Sequence, residues 1–594
     1  MAARAPQTAS PPGVAGPLAG AASHLAGGVV AILASLFALH RLYDFDLLWH
    51  VRTGAWIRAQ QAIPRTDPFG GGTAGLPWLD VSWGAQWVAA LIAGGGGLTA
   101  LQLLAAILIG ATFLVVLRRA PRTPLLLATA LVAVLAAAHR FLPRPDLLVL
   151  PLTLALFALL ERLPRGGRST PLLLGLLTAL WANLHGSFVL APILVLAAGA
   201  GAAPAIAWRN ALRRYGPAFA CTALAPLANP RGVLIYGVLS PYLGSMLAAV
   251  GLAPKGAALM ASEWTPTFGA LLHDPIFPTA PFLFLVLLVA VSFLRRGRNA
   301  SPERAACGAA LLALALTAVR NLLPFAAAAL AIVAANERDR LADARGDRDG
   351  DPFDAAWFRL AAALMVLLVG LSYVAAVATD RYYVTRGLPI TTGVGFDPAL
   401  VPEGAVGWLA THEAPGLLFN NYNSGSYLLY RLAPAVRIYI DARFDTTPVN
   451  RAIEAALADP STLDAFLERE RIGTIVLLHP SPESLAFLPR LTRENGWTLA
   501  WRDANTTIHV RAGAEAPLRA EALALPPAVE PAAARLDAIL GRFKGPVLPA
   551  AELTDAFVSG ILGDSERQRA AYRRALARAP DDPKALAYFA RSGS

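Results

Sequence analysis

The chain alternates long apolar runs with short polar loops through its first two thirds. The runs predict membrane-crossing helices at about 25–42, 97–117, 124–138, 147–162, 171–184, 187–207, 216–228, 278–294, 305–320, 322–336 and 358–378. That is roughly eleven crossings, several of them short for a hydrocarbon core of about 30 Å. Beyond Asp380 the pattern changes to short alternating helix and strand signals. EGAVGWLATHEA predicts a helix, GLLFNN a strand, GSYLLYRL a helix, VRIYIDAR a strand and IEAALADPSTLDAFLERE helix. IGTIVLL then predicts a buried strand, LAFLPRLTREN a helix, and WTLAWRD with TTIHVRA a closing hairpin. Strands alternating with helices imply a small α/β domain. An Ala/Pro-rich linker follows Pro517, and AAYRRALARAPDDPKALAYFA (570–590) resembles a fragment of a tetratricopeptide-like repeat.

Composition strengthens the membrane reading. The 594 residues are 56% hydrophobic and only 15% charged, against about 25% charged in a soluble domain, and the mean hydropathy is +0.50. The net charge of +11 is carried almost wholly by arginine. Those arginines cluster in alternate short loops: RRAPR (118–122), ERLPRGGR (161–168), WRNALRR (208–214), RRGRN (295–299) and ERDRLADARGDR (337–348). Charge arranged this way follows the positive-inside rule and argues against nucleic-acid binding. It predicts a cytoplasmic tail at 1–24, a transmembrane domain at 25–380 with its first outward loop at 43–83, and an extracytoplasmic α/β domain at 381–515. The linker and repeat-like helical tail occupy 516–594. The expected location is a bacterial inner membrane, because helical spans exclude an outer-membrane barrel. Arg4 is the only basic residue near the first span and no A-x-A site follows, so that span reads as a retained anchor. Cys221 and Cys307 fall inside apolar spans and read as packing residues.

The loops poor in positive clusters carry the candidate chemistry. The first holds Asp44, Asp46, His50, Arg52, Arg65, Asp67, Asp80 and Trp83; the next holds His139, Arg140, Arg144 and Asp146. ANLHG brings Asn183 and His185, ANPRG brings Asn229 and Arg231, SEW brings Glu263 and Trp264, and VRN brings Arg320 and Asn321. Ionisable residues at membrane edges face cavities or partners more often than lipid. Together they predict a polar chamber at the outer surface. Arginines there suit lipid phosphate, and a carboxylate suits deprotonation of a sugar hydroxyl or retention of a divalent cation.

The stretch DFDLLWHVRTGAWIRAQQAIPRTDPF, followed by PWLDVSWGAQWVAAL, resembles the first loop of a bacterial group of GT-C-type membrane glycosyltransferases. The wider class includes protein O-mannosyltransferases and the lipid A aminoarabinose transferase. ANLHGSF, ANPRG, SEW, AVRNLLPF, LLFNNYNSGSYLLYRL and RIYIDARFD recur with it as a set, so the resemblance spans about residues 25–511. It implies a polyprenyl-phosphate-linked sugar donor, an extracytoplasmic glycan, lipid or protein acceptor, and a catalytic acid in the first loop, Asp44 or Asp46. One departure stands out: related sequences read roughly D-H-E-W where this chain has Asp80-Val81-Ser82-Trp83. The role of that second acidic position, and the activity of this member, stay open.

The residues leave alternatives at most positions. Asp44 and Asp46 serve as base or as a helix-end pair. Arg140, Arg144, His185, Arg231 and Arg320 are candidates for lipid phosphate, although arginines at helix ends also snorkel. His50 joins Asp44 and Asp46 as a metal ligand or hydrogen-bonds within its loop. Asp80, Trp83, Glu263, Trp264, Asn420 and Asn421 are candidate acceptor or sugar contacts, as is His50. The tryptophans equally fit an interfacial belt, and the asparagines equally cap a turn. Asp441 and Arg443 pair with each other on the simplest reading. Two non-transferase functions compete: an envelope assembly scaffold working through the α/β domain and tail, and a transporter of lipid-linked sugars. The second expects polar residues near the bilayer midplane, whereas here they gather at one edge.

Overall fold

The computed structural model describes residues 15–43, 45–249, 279–344, 352–386, 390–396, 401–443, 448–478, 487–491, 495–502, 506–511 and 565–578, with a few single residues besides. Asp44, Glu263, Trp264 and, within the repeat-like stretch 570–590, residues 579, 581–585 and 587–590 lie outside the described residues.

A helix occurs at every predicted span, but the count of eleven crossings is not what the helices establish. Among the described residues, seven are long and apolar enough to cross a membrane: Ala15–Ala38, Trp83–Arg119, Pro145–Arg165, Gly186–Ile206, Thr279–Asn299, Val319–Asp343 and Ala356–Ala378. An eighth counts if Trp208–Ala228 and Gly232–Val238, bent by 105°, form one span. Pro124–Arg140 and Thr170–Ala182 are apolar but shorter, and Pro302–Thr317 has 16 residues with Glu303 in its first turn. The chain is a multi-pass membrane protein. Local signals set the ends. Thr123 caps Leu126 N–H with Pro124 behind it, and Ser301 caps Arg304 N–H with Pro302 behind it.

Two helices depart from the sequence pattern in ways that shape the site. Residues Asp46–Gln60, read as part of a loop, form helix α1. Helix α2, Trp83–Arg119, begins 14 residues before the predicted span and breaks at Gly97, whose φ of 69° suits glycine. At 1.5 Å per residue its 37 residues would run about 55 Å, well beyond the hydrocarbon core. The part before Gly97 therefore stands clear of the span and packs on α1. Gly54 permits that approach, since a Cβ there would collide with the Gln86 carbonyl.

The α/β domain has a four-stranded sheet in the order β1 (Leu417–Asn420), β2 (Ile472–Leu478), β4 (Thr506–Arg511), β3 (Trp497–Arg502). β1 runs parallel to β2, with helices Pro448–Ala458 and Pro460–Arg469 between them in the chain, and the remaining pairs are antiparallel. VRIYIDAR does not join the ladder beyond a bridge between Leu418 and Ile438. Its backbone groups are satisfied elsewhere. Asn420 Oδ1 accepts from Tyr439 N–H at 2.8 Å and Asn420 Nδ2 donates to Ile440 O at 2.8 Å. From the first loop, Gly71 N–H donates to Ile438 O at 2.6 Å and Gly72 N–H to Tyr439 O at 3.2 Å. Within LAFLPRLTREN, Phe487 is helical and runs into a short 3-10 turn, Leu488–Arg490, with Pro489 in its first turn; residues 485, 486 and 492–494 lie outside the described residues.

One apolar core joins the two parts. Leu47, Leu48 and Val51 of α1 and Leu98 and Leu101 of α2 cluster with Trp408, Leu428 and Ile508 of the α/β domain. The domain is seated on the first loop by buried surface. In the tail, helix Ser565–Arg578 contributes Ala571, Tyr572 and Ala575 to a small cluster with Ala556. Asp555 pairs with Arg567 and Arg574 there and reaches Arg502 of β3 at 3.5 Å.

Candidate functional site

Asp46 opens helix α1, where a carboxylate complements the positive helix end. Its Oδ2 accepts from Arg144 Nη1 at 2.6 Å. Arg144 Nε donates in turn to Asp146 Oδ1 at 3.0 Å, and Arg140 donates to Asp146 Oδ2. Two acids and two arginines from the first and second predicted outward loops thus form one alternating chain, with Arg140 and Asp146 buried and Arg144 and Asp46 partly buried.

One helical turn after Asp46, His50 faces the same side and is buried. Gln86 Nε2 donates to His50 Nδ1 at 3.3 Å and to Asp80 Oδ1 at 2.8 Å. Asp80 Oδ1 also accepts from Ser82 N–H at 3.1 Å, while its Oδ2 is buried and accepts no hydrogen bond among the described residues. Burial, then the charge of Arg144 and the neighbouring His185, hold His50 well below its usual value. It is therefore neutral, with Nδ1 accepting and the proton on Nε2. Burial pushes Asp80 up to about 6, against the Ser82 and Gln86 hydrogen bonds and the fields of Arg231 and Arg443. Trp49 lies against His50, with ring centroids 3.5 Å apart and the planes tilted by 33°, and meets Trp78 edge-on at 6.1 Å.

The other motifs build the wall behind this cluster. Trp83 Nε1 donates to Asn183 Oδ1 at 2.9 Å, and Asn229 Nδ2 donates to the same oxygen at 3.2 Å and to Ala182 O at 2.9 Å. Arg231 donates from Nη2 to the carbonyls of Pro64 and Trp78. His185 Nδ1 accepts from Ser187 N–H at 3.2 Å, capping the turn Gly186–Val189. Arg320 stands in the turn Val319–Asn321, which begins the span ending at Asp343. Asp339, near the other end of that span, meets Arg304.

Sequence reasoning therefore placed Asp46, His50, Asp80, Trp83, Arg140, Arg144, His185 and Arg231 in one region of the molecule. It did not foresee their partners. Arg231 and Trp83 are occupied by backbone and asparagine, and Arg140 and Arg144 hold Asp146. Asn420 and Asn421 belong to a different place: both are buried within the α/β domain, the first holding Tyr439 and Ile440, the second accepting from Leu478 N–H and donating to Ser484 Oγ at 3.4 Å. Among the described residues no three His, Cys, Asp or Glu side chains converge as a metal site requires. The Asp46 oxygen within the cluster is on Arg144. The metal set read from Asp44, Asp46 and His50 thus lacks a described donor set, Asp44 being outside those residues.

One residue of the site, Gln86, went unrecognised, and Asp67, noted among the polar residues of the first loop, had no role assigned. Gln86 bridges His50 and Asp80; its signal was an amide inside an otherwise apolar stretch. Asp67 accepts from Phe69 and Gly70 N–H at 2.9 and 3.1 Å and from Arg443 Nη1 at 2.8 Å. Arg443 does pair with Asp441, at 2.6 Å, but it also reaches the first loop, lying over the Phe69 and Trp78 rings at 5.0 Å. Burial alone would lower Arg443; the Asp441 and Asp67 carboxylates outweigh it and raise it.

No protein-family model and no curated protein sequence matches the chain. Solved structures do. The archaeal oligosaccharyltransferase AglB from Archaeoglobus fulgidus, in complex with an inhibitory peptide and a dolichol-phosphate, gives a TM-score of 0.50 at 14% identity, over 77% of this chain and 69% of that one. The Archaeoglobus fulgidus oligosaccharyltransferase in its apo form gives 0.49 at 14% identity, over 83% and 75%. The mycobacterial arabinofuranosyltransferase AftD gives 0.44 at 17% identity, over 82% of this chain and 39% of that one. At such identities the likeness is one of fold alone: the chain shares the fold of the archaeal oligosaccharyltransferase.

Proposed function

We propose that this membrane protein of GT-C fold transfers a sugar from a lipid-phosphate-linked donor, a polyprenyl phosphate, to an extracytoplasmic glycan, lipid or protein. The observation that carries the reading is the partly buried chain of Asp46, Arg144, Asp146 and Arg140 beside neutral His50, at one end of an apolar bundle. The solved neighbour bound to a dolichol-phosphate and a peptide supports a lipid-linked donor and a separate acceptor.

On this reading Arg144 is the first cation an entering phosphate meets, because it already holds two carboxylates within hydrogen-bond reach. Exchange of Asp46 for phosphate oxygen would stabilise the leaving group through charge-assisted hydrogen bonds. It would also release the Asp46 carboxylate to take the proton of the acceptor nucleophile. Asp44 is the alternative base. The bond to the anomeric carbon forms from the acceptor as the bond to the lipid phosphate breaks, and the phosphate departs as an anion. The membrane is a bacterial inner membrane with the site on its outer face, as the arginine-rich loops imply.

The test is transfer in proteoliposomes with polyprenyl-phosphate sugars. Asp46→Asn and Asp44→Asn should each leave a folded protein with transfer reduced by about two orders of magnitude or more. Normal transfer by both variants would remove the base assignment. Sensitivity to a chelator decides whether a divalent cation works with Asp44 and Asp46.

A further inference from the structure

A second polar constellation lies at the opposite end of the bundle. The span Pro145–Arg165 begins beside Asp146 of the candidate site and ends at Arg165. Its 21 residues correspond to about 32 Å of helix, close to the thickness of a hydrocarbon core. At the Arg165 end, a cavity of about 220 Å³ opens between four helical segments. Phe157, Leu160 and Ala198 form an apolar part of its lining, while Arg165 and Glu303 contribute opposite charges. That volume is below the roughly 300–1,000 Å³ that encloses a drug-sized molecule, so it suits a headgroup and the start of a chain.

The charges around it are unevenly matched. Arg304, which also lines the cavity, is saturated: it donates to both Glu161 oxygens at 2.6 Å, to Asp339 at 2.6 Å and to Asn336 at 3.1 Å. Glu303 is different. Its carboxylate accepts from the Ser301 hydroxyl at 2.7 Å and from the Tyr215 hydroxyl at 3.5 Å, and no ion pair joins it to a cation among the described residues. Arg165 is exposed and uses Nη1 for the Glu161 carbonyl at 2.8 Å, leaving other guanidinium donors for a ligand. One carboxylate with no ion-pair partner among the described residues and one guanidinium with spare donors border an apolar floor at a membrane face.

We infer that this cavity binds a glycerophospholipid whose headgroup carries a primary ammonium beside its phosphate. The ammonium donates to Glu303, the phosphate accepts from Arg165, and the first methylenes lie along Phe157, Leu160 and Ala198. The inference does not depend on the proposed transfer reaction, since the site is at the other membrane face and involves none of its residues.

The experiment is native mass spectrometry of the full chain, delipidated and then offered phosphatidylethanolamine, phosphatidylcholine or phosphatidylglycerol. One phosphatidylethanolamine per chain should survive conditions that strip the other two, because a quaternary ammonium has no N–H to donate and glycerol carries no positive charge. Glu303→Gln and Arg165→Gln should each weaken its retention by about tenfold, the scale of one charge-assisted hydrogen bond. Glu303→Asp and Arg165→Lys, which keep the charges, should fall between and serve if a neutral variant does not fold. Equal retention of the three lipids, or unchanged phosphatidylethanolamine retention in the variants, would overturn the inference. Binding of soluble phosphoethanolamine with no lipid preference would also overturn it, by assigning the site to an aqueous ligand.

Discussion

Arg443 Nη1 meets Asp67 Oδ1 at 2.8 Å across 376 positions of sequence, and neither side chain is exposed to solvent. The pair ties the α/β domain to the loop that carries the candidate site, and Asp441 completes it from the domain side. Trp78, beneath the guanidinium, touches Trp49, which packs against His50. The soluble domain therefore braces the site through packed rings and a buried charge.

Removing that charge leaves two buried carboxylates facing each other. Arg443→Met should destabilise the protein by about 3–5 kcal/mol, read by thermal unfolding, and should increase proteolysis of the 43–83 loop. Asp67→Asn, which leaves Arg443 with Asp441, should cost less. Equal, small effects would show the joint to be dispensable.

Asp80 and His50 impose opposite pH slopes. Asp80 in the folded state titrates near 6 instead of 3.8, so the folded form binds more protons between those values and stability falls as pH rises through the window. The full effect is about 3 kcal/mol. His50, held well below 6.5, binds fewer protons when folded, so its contribution falls as pH drops below 6.5. Asp80→Asn should expose the His50 slope, with the variant losing stability relative to wild type on acidification. His50→Gln should expose the Asp80 slope and gain relative to wild type between pH 6 and 4. Thermal unfolding against pH checks both, and parallel profiles for all three proteins would exclude the assignment.

Arg144 contributes to the low value of His50 and holds Asp46 and Asp146. Arg144→Gln should therefore raise the His50 titration, observable by NMR of labelled histidine. It should also cost more stability than Asp46→Asn, about 3–5 kcal/mol, since Asp146 then shares Arg140 alone.

Gly54 lies where α1 crosses α2, and a methyl group there meets the Gln86 carbonyl. Gly54→Ala should cost about 1–3 kcal/mol through overpacking. By displacing Gln86 it should also shift the pH profile attributed to Asp80. A stability loss with an unmoved profile would separate Gln86 from that titration.

Hydropathy and turn signals act over a few residues, and what depends on that range was legible in the sequence. The apolar runs located helices at all eleven positions, and strand and helix signals located β1, β2 and the β3–β4 hairpin. The loop motifs marked Asp46, His50, Asp80, Arg144 and Arg231 as belonging together. Crossing number was less legible, because runs such as 124–138 and 171–184 are apolar but short. VRIYIDAR has a strand's composition, yet its backbone partners are the Asn420 side chain and Gly71 and Gly72 of a distant loop. Partner choice was likewise decided only in three dimensions. Arg144 could have taken phosphate, solvent or any nearby acid, and packing of α1 against the next loop selects Asp46 and Asp146. Gln86 becomes the bridge between His50 and Asp80 because α2 starts outside its predicted span and Gly54 lets it approach. Arg443 turns to Asp67 because a shared core seats the α/β domain on α1. Local composition determined which groups are available near a membrane edge; the close approach of elements far apart in sequence decided which charges neutralise one another.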